Sequence, residues 1–140
     1  MPFKPQLVNE PRKIRVLIAD DSLGMRVYLR AILSGSGYVC TEKADGGEAF
    51  DAILAEPFDL VITDLDMPGM DGFALLSAIS LLPRSRGRPA VIVCSALLDE
   101  GLAERRPELR LATALLAKPV QPEDVLKAAE RALQTRAACR

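Results

Sequence analysis

The chain has 140 residues, 49% of them hydrophobic, a length typical of one folded domain and too short for two of ordinary size. Its 18 basic and 19 acidic residues leave a net charge of −1, and no uncharged apolar run approaches the roughly 18 residues of a membrane span, so we expect neither DNA binding nor membrane insertion. The absence of histidine excludes Ser-His-Asp catalysis, His-ligated zinc and a phosphohistidine carrier.

Residues 1–13 contain three prolines and no hydrophobic periodicity, so we expect an N-terminal tail there. From residue 14 onward, short β-rich segments alternate with segments of helical periodicity. The predicted strands span residues 14–19, 38–41, 59–63, 90–94 and 113–117. They are mostly apolar, as expected when helices cover both faces of a parallel sheet.

A predicted helix follows each strand. The first has Ser22 as its N-cap and carries apolar residues three and four positions apart, namely Met25, Tyr28, Leu29, Ile32 and Leu33. The next two span residues 48–55 and about 73–82, the fourth lies within 99–112 and is weakened at Pro107, and the fifth starts at Pro122. This alternation predicts an α/β fold, a three-layer α/β/α sandwich around a five-stranded parallel sheet.

Polar side chains follow four of the five predicted strands. Asp20 and Asp21 come after the first strand, Asp64 after the third, Ser95 after the fourth and Lys118 after the fifth. Each residue alone is an ordinary helix cap, turn former or solvated lysine. Because the carboxyl ends of parallel strands share one edge of the sheet, where ligands bind, we expect these side chains to lie together.

The chemistry of this set indicates phosphoryl transfer. Three neighbouring carboxylates repel unless a cation intervenes, and in the absence of histidine and a cysteine cluster the cation that fits is Mg²⁺, with Mn²⁺ as the second choice. A cation, the ammonium of Lys118 and the hydroxyl of Ser95 would neutralise the oxygens of a phosphoryl group. Asp64 would then be the nucleophile and form an aspartyl phosphate.

Four stretches of the chain resemble a bacterial response-regulator receiver domain: VLIADDS at 16–22, LVITDLDMPGMDG at 60–72, VIVCSA at 91–96 and LAKP at 116–119. The resemblance runs from about Ile14 to Leu133, with the motifs in the family's order. We therefore assign residues 14–136 to a receiver domain and expect no output domain in this chain. The resemblance implies a flavodoxin-like strand order of 2-1-3-4-5.

The resemblance also implies a metal site and a phosphoacceptor. Asp64 would accept the phosphoryl group. Asp21 and Asp64 would ligate Mg²⁺ directly, together with the backbone carbonyl of Asp66, and Asp20 would act largely through a bound water.

Two further roles follow from the same resemblance. Ser95 would bond a phosphoryl oxygen and signal its presence, and Lys118 would pair with Asp64 or with the phosphate. The Lys118–Pro119 peptide bond would be cis, and Gly72 would open the next helix.

The implied function is that of a stand-alone, cytoplasmic response regulator. It would take phosphate from a histidine kinase or a histidine phosphotransfer protein and bind an unknown output protein through helix 4, strand 5 and helix 5. We expect no enzymatic activity beyond self-dephosphorylation. Cys40, Cys94 and Cys139 are far apart in the chain and are expected to be reduced thiols, with Cys40 and Cys94 buried.

One position departs from the family and keeps alternatives open. Leu115, next to Ala114, stands where receivers usually carry the Tyr or Phe that relays the signal from the Ser or Thr. The chain could therefore be a pseudo-receiver that acts without phosphorylation. An aspartyl-phosphate phosphatase is a weaker alternative, because such enzymes place their DxD motif on the first strand.

Arginines cluster in two segments. Arg105, Arg106 and Arg110 lie within residues 104–110, and another three, Arg84, Arg86 and Arg88, precede the fourth strand. Glutamates are interleaved in the first segment, which favours a solvated face over a site for a nucleotide or an acidic peptide.

Overall fold

The computed structural model of the protein describes residues 12–138. Most of the predicted tail, residues 1–11, lies outside this range, as does Cys139. Within it, no helix has both the length and the apolar character needed to cross a membrane.

The sheet has five parallel strands in the order β2-β1-β3-β4-β5, which confirms the predicted fold and strand order. The strands are β1 (Arg15–Ala19), β2 (Val39–Lys43), β3 (Leu60–Thr63), β4 (Ala90–Ser95) and β5 (Ala114–Ala117). β1 lies between β2 and β3, and β4 joins β3 to the edge strand β5. All strands therefore end at the same edge of the sheet.

The α-helices are α1 (Leu23–Gly35), α2 (Gly46–Ala55), α3 (Gly72–Ser80), α4 (Leu102–Arg105) and α5 (Pro122–Ala138). Ser22 caps α1, because its hydroxyl accepts a hydrogen bond from the Met25 N–H at 3.2 Å. The predicted fourth helix is reduced to one turn, and a 3₁₀ turn follows at Pro107–Leu111. Proline interrupts the helical hydrogen bonds, which explains the break at Pro107.

The two faces of the sheet carry separate hydrophobic clusters. Val16 and Ile18 of β1 point toward α1 and α5, whereas Leu17 and Ala19 point toward α2 and α3. Successive side chains of a strand alternate between faces, so the central strands are apolar throughout. The predicted apolar face of α1 is buried at Leu29 and Leu33.

A buried carboxylate ties three elements together at the opposite edge of the sheet. Asp59, just before β3, accepts two hydrogen bonds from Arg12 at 2.9 and 3.1 Å, one from the Arg15 N–H at 2.9 Å, and one from Arg136 of α5 at 3.2 Å. Burial by itself raises the pKa of Asp59, but these hydrogen bonds and the charges of Arg12 and Arg136 outweigh it and leave the pKa below its usual value.

We expect Asp59→Asn to destabilise the fold by about 2 kcal/mol at pH 7, because two arginines lose a buried anionic partner. The pKa of Asp59 is lower in the folded chain than in the unfolded chain, so its contribution is complete at neutral pH. It is lost as the pH falls below about 4 toward the folded-state pKa. Urea unfolding of the wild-type protein and of Asp59→Asn at a series of pH values measures this contribution to the free energy of unfolding. Asp51→Asn, on the exposed side of α2, is the control. An equal loss in both variants would contradict the assignment.

Candidate functional site

Three carboxylates lie together at the carboxyl edge of the sheet. Asp20 and Asp21 follow β1, and Asp64 follows β3, where its N–H donates to the Ala19 carbonyl at 2.9 Å. One carboxylate oxygen from each of the three lies within 4.8 Å of the others. Asp20 and Asp64 are buried, whereas Asp21 is exposed, so the cluster opens to solvent on one side.

Lys118 joins the cluster from the end of β5. Its ammonium donates to Asp20 at 2.8 Å and to Asp64 at 2.9 Å. Burial lowers the pKa of Lys118, but the hydrogen bonds and charges of the two aspartates outweigh burial and raise the pKa above its usual value. The lysine is therefore a permanent positive charge between two buried carboxylates.

The Asp64 carboxylate is oriented by its own loop as well as by Lys118. One oxygen accepts a hydrogen bond from the Leu65 N–H at 2.7 Å and a longer one from the Asp66 N–H at 3.5 Å. The other oxygen faces Lys118. With 8% of its surface exposed, Asp64 is held in place and is still open to an incoming group.

Ser95 ends β4 beside Lys118 and is fully buried. Its carbonyl accepts a hydrogen bond from the Lys118 N–H at 3.0 Å, and its hydroxyl accepts one from the Leu97 N–H at 3.1 Å. Within residues 12–138, Ser95 is thus linked to the acidic cluster through the backbone rather than by a side-chain hydrogen bond to Asp64. The structure brings Asp20, Asp21, Asp64 and Lys118 into one side-chain cluster.

The Lys118–Pro119 peptide bond is cis, as the resemblance implies. Cys94, the residue before Ser95 on β4, has a buried thiol, and burial raises the pKa of this thiol to about 11. The Lys118 charge only partly opposes this effect. The thiol is therefore protonated at neutral pH and supplies no nucleophile to the site.

Two glycines let neighbouring backbones approach around the site. The N–H of Gly72, at the start of α3, donates to the Leu65 carbonyl at 2.9 Å, and a Cβ at this position would collide with the Asp64 carbonyl. The N–H of Gly46, at the start of α2, donates to the Met70 carbonyl at 3.1 Å, and a Cβ there would strike that carbonyl. We predicted that Gly72 opens α3, but we predicted no role for Gly46, whose contact partner lies 24 residues along the chain.

Leu115 is 42% exposed on the edge strand β5. It belongs to neither hydrophobic cluster, so this leucine lies at the surface of the described chain rather than filling the core. No aromatic ring is available at this position to change between inward and outward orientations.

The arginine clusters are mostly engaged within the chain. Arg105 pairs with Asp99 at 3.2 Å, whereas Arg86 and Arg88 donate to the carbonyls of Ile53 and Ser80 at 2.5 and 2.6 Å. These contacts are those of surface arginines that stabilise the fold.

One arginine of the first cluster behaves differently. Arg106 pairs with Glu108 at 3.1 Å and also lies over the Phe73 ring, 3.5 Å from its centre. The local sequence around Arg106 gives no indication of this ring contact.

The donor set fits the predicted cation. Asp20, Asp21 and Asp64 each offer one carboxylate oxygen within 4.8 Å of the other two, and Mg²⁺ prefers such hard ligands. A divalent ion would also relieve the repulsion that Lys118 only partly offsets.

A parallel sheet of order 2-1-3-4-5 with aspartates, serine and lysine at its carboxyl edge defines the class of phosphoacceptor receivers. The chain belongs to the response regulator receiver domain family, whose model matches residues 16–130. Receiver domains are phosphoacceptors that interact with histidine kinases or phosphotransfer proteins.

Relatives and solved structures agree with this membership. The chain is 35% identical over 119 residues to a probable chemotaxis protein CheY of Rhizobium etli, covering 84% of this chain and 91% of that protein. It is also 35% identical over 130 residues to the sensory/regulatory protein RpfC of Xanthomonas campestris, but there it spans only 17% of the relative, against 89% of this chain. The chemotaxis response regulator CheY4 of Vibrio cholerae superposes with a TM-score of 0.76 at 30% identity, covering 87% of this chain and all of that one.

Proposed function

We propose that residues 14–136 act as the receiver of a response regulator that accepts a phosphoryl group on Asp64 from a histidine kinase or a histidine phosphotransfer protein. The observation that carries this proposal is the contact of one ammonium, that of Lys118, with both Asp20 and Asp64 beside a third carboxylate. We also propose a cytoplasmic location, where free thiols such as the buried Cys40 and Cys94 stay reduced.

In the proposed reaction, a carboxylate oxygen of Asp64 attacks the phosphorus of the donor's phosphohistidine. A new O–P bond forms as the donor's N–P bond breaks, and the bonding electrons stay on the imidazole, which takes up a proton. Lys118 neutralises charge on the phosphoryl oxygens, and the Ser95 hydroxyl donates to one of them. Mg²⁺, held by Asp20, Asp21, Asp64 and the Asp66 carbonyl, would supply further charge neutralisation when bound.

The output step is proposed to be phosphorylation-dependent protein contact through α4, β5 and α5. Leu115 supplies an exposed apolar side chain on this face. Because no ring is present at this position, a pseudo-receiver that acts without phosphorylation is the second candidate function.

The test is a titration of the ¹⁵N-labelled protein with Mg²⁺ and then with beryllofluoride, an analogue of the phosphoryl group, followed by NMR. We expect the amide signals of Ser95, Leu97 and Lys118 to shift on addition of beryllofluoride. Asp64→Asn is the control and should show no such shifts. Unchanged spectra of the wild-type protein would favour the pseudo-receiver, and turnover of a small phosphate ester would favour a phosphatase.

A further inference from the structure

The segment between β4 and β5, residues 96–112, has little regular structure of its own. Its only α-helical part among the described residues is α4, with four residues, and Arg106 follows with a non-helical backbone, φ −130° and ψ 83°. The 3₁₀ turn Pro107–Leu111 completes the segment. Its turn hydrogen bonds stay within the segment, such as that from the Arg106 N–H to the Leu102 carbonyl at 2.7 Å. Side-chain contacts therefore help to hold the segment against the rest of the fold.

Leu109 and Arg106 attach this segment to α3: Leu109 is buried in the hydrophobic cluster that includes α3, and Arg106 contacts the ring of Phe73. The guanidinium carbon lies 3.5 Å from the centre of the Phe73 ring, and the same guanidinium pairs with Glu108 at 3.1 Å. The Phe73 ring is buried, with 7% of the residue exposed, and Arg106 covers it from the solvent side. We call this stacked pair the Arg106–Phe73 clasp.

Both sides of the clasp are connected to the acidic cluster. Phe73 directly follows Gly72, whose backbone packs against the Asp64 carbonyl and hydrogen-bonds to Leu65. At the other end, the segment begins after Ser95, whose hydroxyl accepts the Leu97 N–H at 3.1 Å. A shift of the Ser95 hydroxyl toward a phosphoryl group on Asp64 would therefore pull on the segment that carries Arg106.

We propose that Arg106 is a positioning residue: the Arg106–Phe73 clasp stabilises the resting arrangement of residues 96–112, and phosphorylation of Asp64 releases it. This proposal rests on the proposed function. The clasp takes the place of a relay through position 115, where an exposed leucine has no ring to turn. A contact that exists only in the resting arrangement lowers the affinity for the phosphoryl group by the free energy that the contact contributes.

The test compares the beryllofluoride concentration at half-saturation, in the presence of Mg²⁺, for the wild-type protein, Arg106→Ala and Arg105→Ala. We expect Arg106→Ala to bind beryllofluoride about two- to fivefold more tightly, the size of an exposed cation–π contact. Arg105 is the matched control, because it is the neighbouring arginine and pairs with Asp99 instead of a ring. Its removal should leave the half-saturation point unchanged.

A second variant and an NMR signal test the same contact independently of Arg106→Ala. Phe73→Leu removes the ring but keeps an apolar side chain, so it should tighten binding like Arg106→Ala, and the double variant should add nothing further. In the wild-type protein, the Arg106 Nε–H resonance should carry a ring-current shift that disappears on saturation.

Unchanged or weaker binding in both single variants, or a ring-current shift that persists at saturation, would overturn the role of the clasp. These results differ from failure of the proposed function, in which the wild-type protein itself would not bind beryllofluoride. If Arg106→Ala fails to fold, the binding by Phe73→Leu and the ring-current shift of the wild-type protein still test the role of the clasp.

Discussion

The Asp64→Asn variant will incorporate no phosphoryl group from an acyl phosphate in the presence of Mg²⁺, whereas the wild-type protein will incorporate up to one per chain. In the proposed reaction an anionic oxygen of Asp64 attacks phosphorus, and the amide lacks it. The substitution also removes one of the three carboxylates whose oxygens lie within 4.8 Å of one another. Loss of a nucleophile lowers a rate by on the order of 10⁴-fold or more, so incorporation by this variant should fall below detection. Intact-protein mass spectrometry measures the incorporation directly.

Asp66→Asn is the matched control for this experiment. Asp66 lies in the same loop two residues further on, its side chain is exposed, and the substitution leaves its backbone carbonyl unchanged. This variant should still be modified. Equal incorporation by Asp64→Asn and the wild-type protein would show that another residue accepts the group.

The Gly72→Ala variant will be destabilised by about 3 kcal/mol, because the added methyl group meets backbone that cannot rotate away. Its Cβ would lie 2.7 Å from the Leu65 Cα and closer still to the Asp64 carbonyl. To relieve the contact, either α3 or the Asp64 loop must move, so phosphoryl incorporation should fall as well. Urea unfolding of the purified variant measures the loss of stability.

Gly35→Ala tests whether the effect belongs to this position rather than to glycine replacement in general. Gly35 is the last residue of α1, and a Cβ there would meet no atom within 4 Å. Alanine in a helix is favoured over glycine by roughly 0.5–1 kcal/mol, so this variant should be as stable as the wild-type protein or more so. A similar loss in both variants would contradict the steric explanation.

The placement of the acidic cluster was predictable because it depends on a regular feature of parallel sheets. Once apolar strands are recognised before Asp20, Asp64 and Lys118, the common edge follows from topology alone. The Ser22 cap of α1 and the break at Pro107 were predictable for a similar reason, since they depend on chemistry within a few residues of sequence.

Contacts between distant segments were not predictable in this way. Asp59 binds Arg12 and Arg136, which lie 47 and 77 residues away, and nothing in the local pattern indicates these pairs. The contact of Arg106 could not be predicted either, because glutamates are interleaved with the arginines of its segment, a pattern typical of a solvated face. Its ring partner is visible only after α3 has been packed beside the 3₁₀ turn.

A crystal structure of the protein with Mg²⁺ and beryllofluoride would test the convergence of groups on Asp64 most directly. We expect beryllium bonded to an Asp64 carboxylate oxygen, with the Lys118 ammonium and the Ser95 hydroxyl each within hydrogen-bond distance of a fluorine, and the metal among the three aspartates. Beryllofluoride bound elsewhere, or a Ser95 hydroxyl still turned to Leu97 and out of reach, would contradict the assignment of this site.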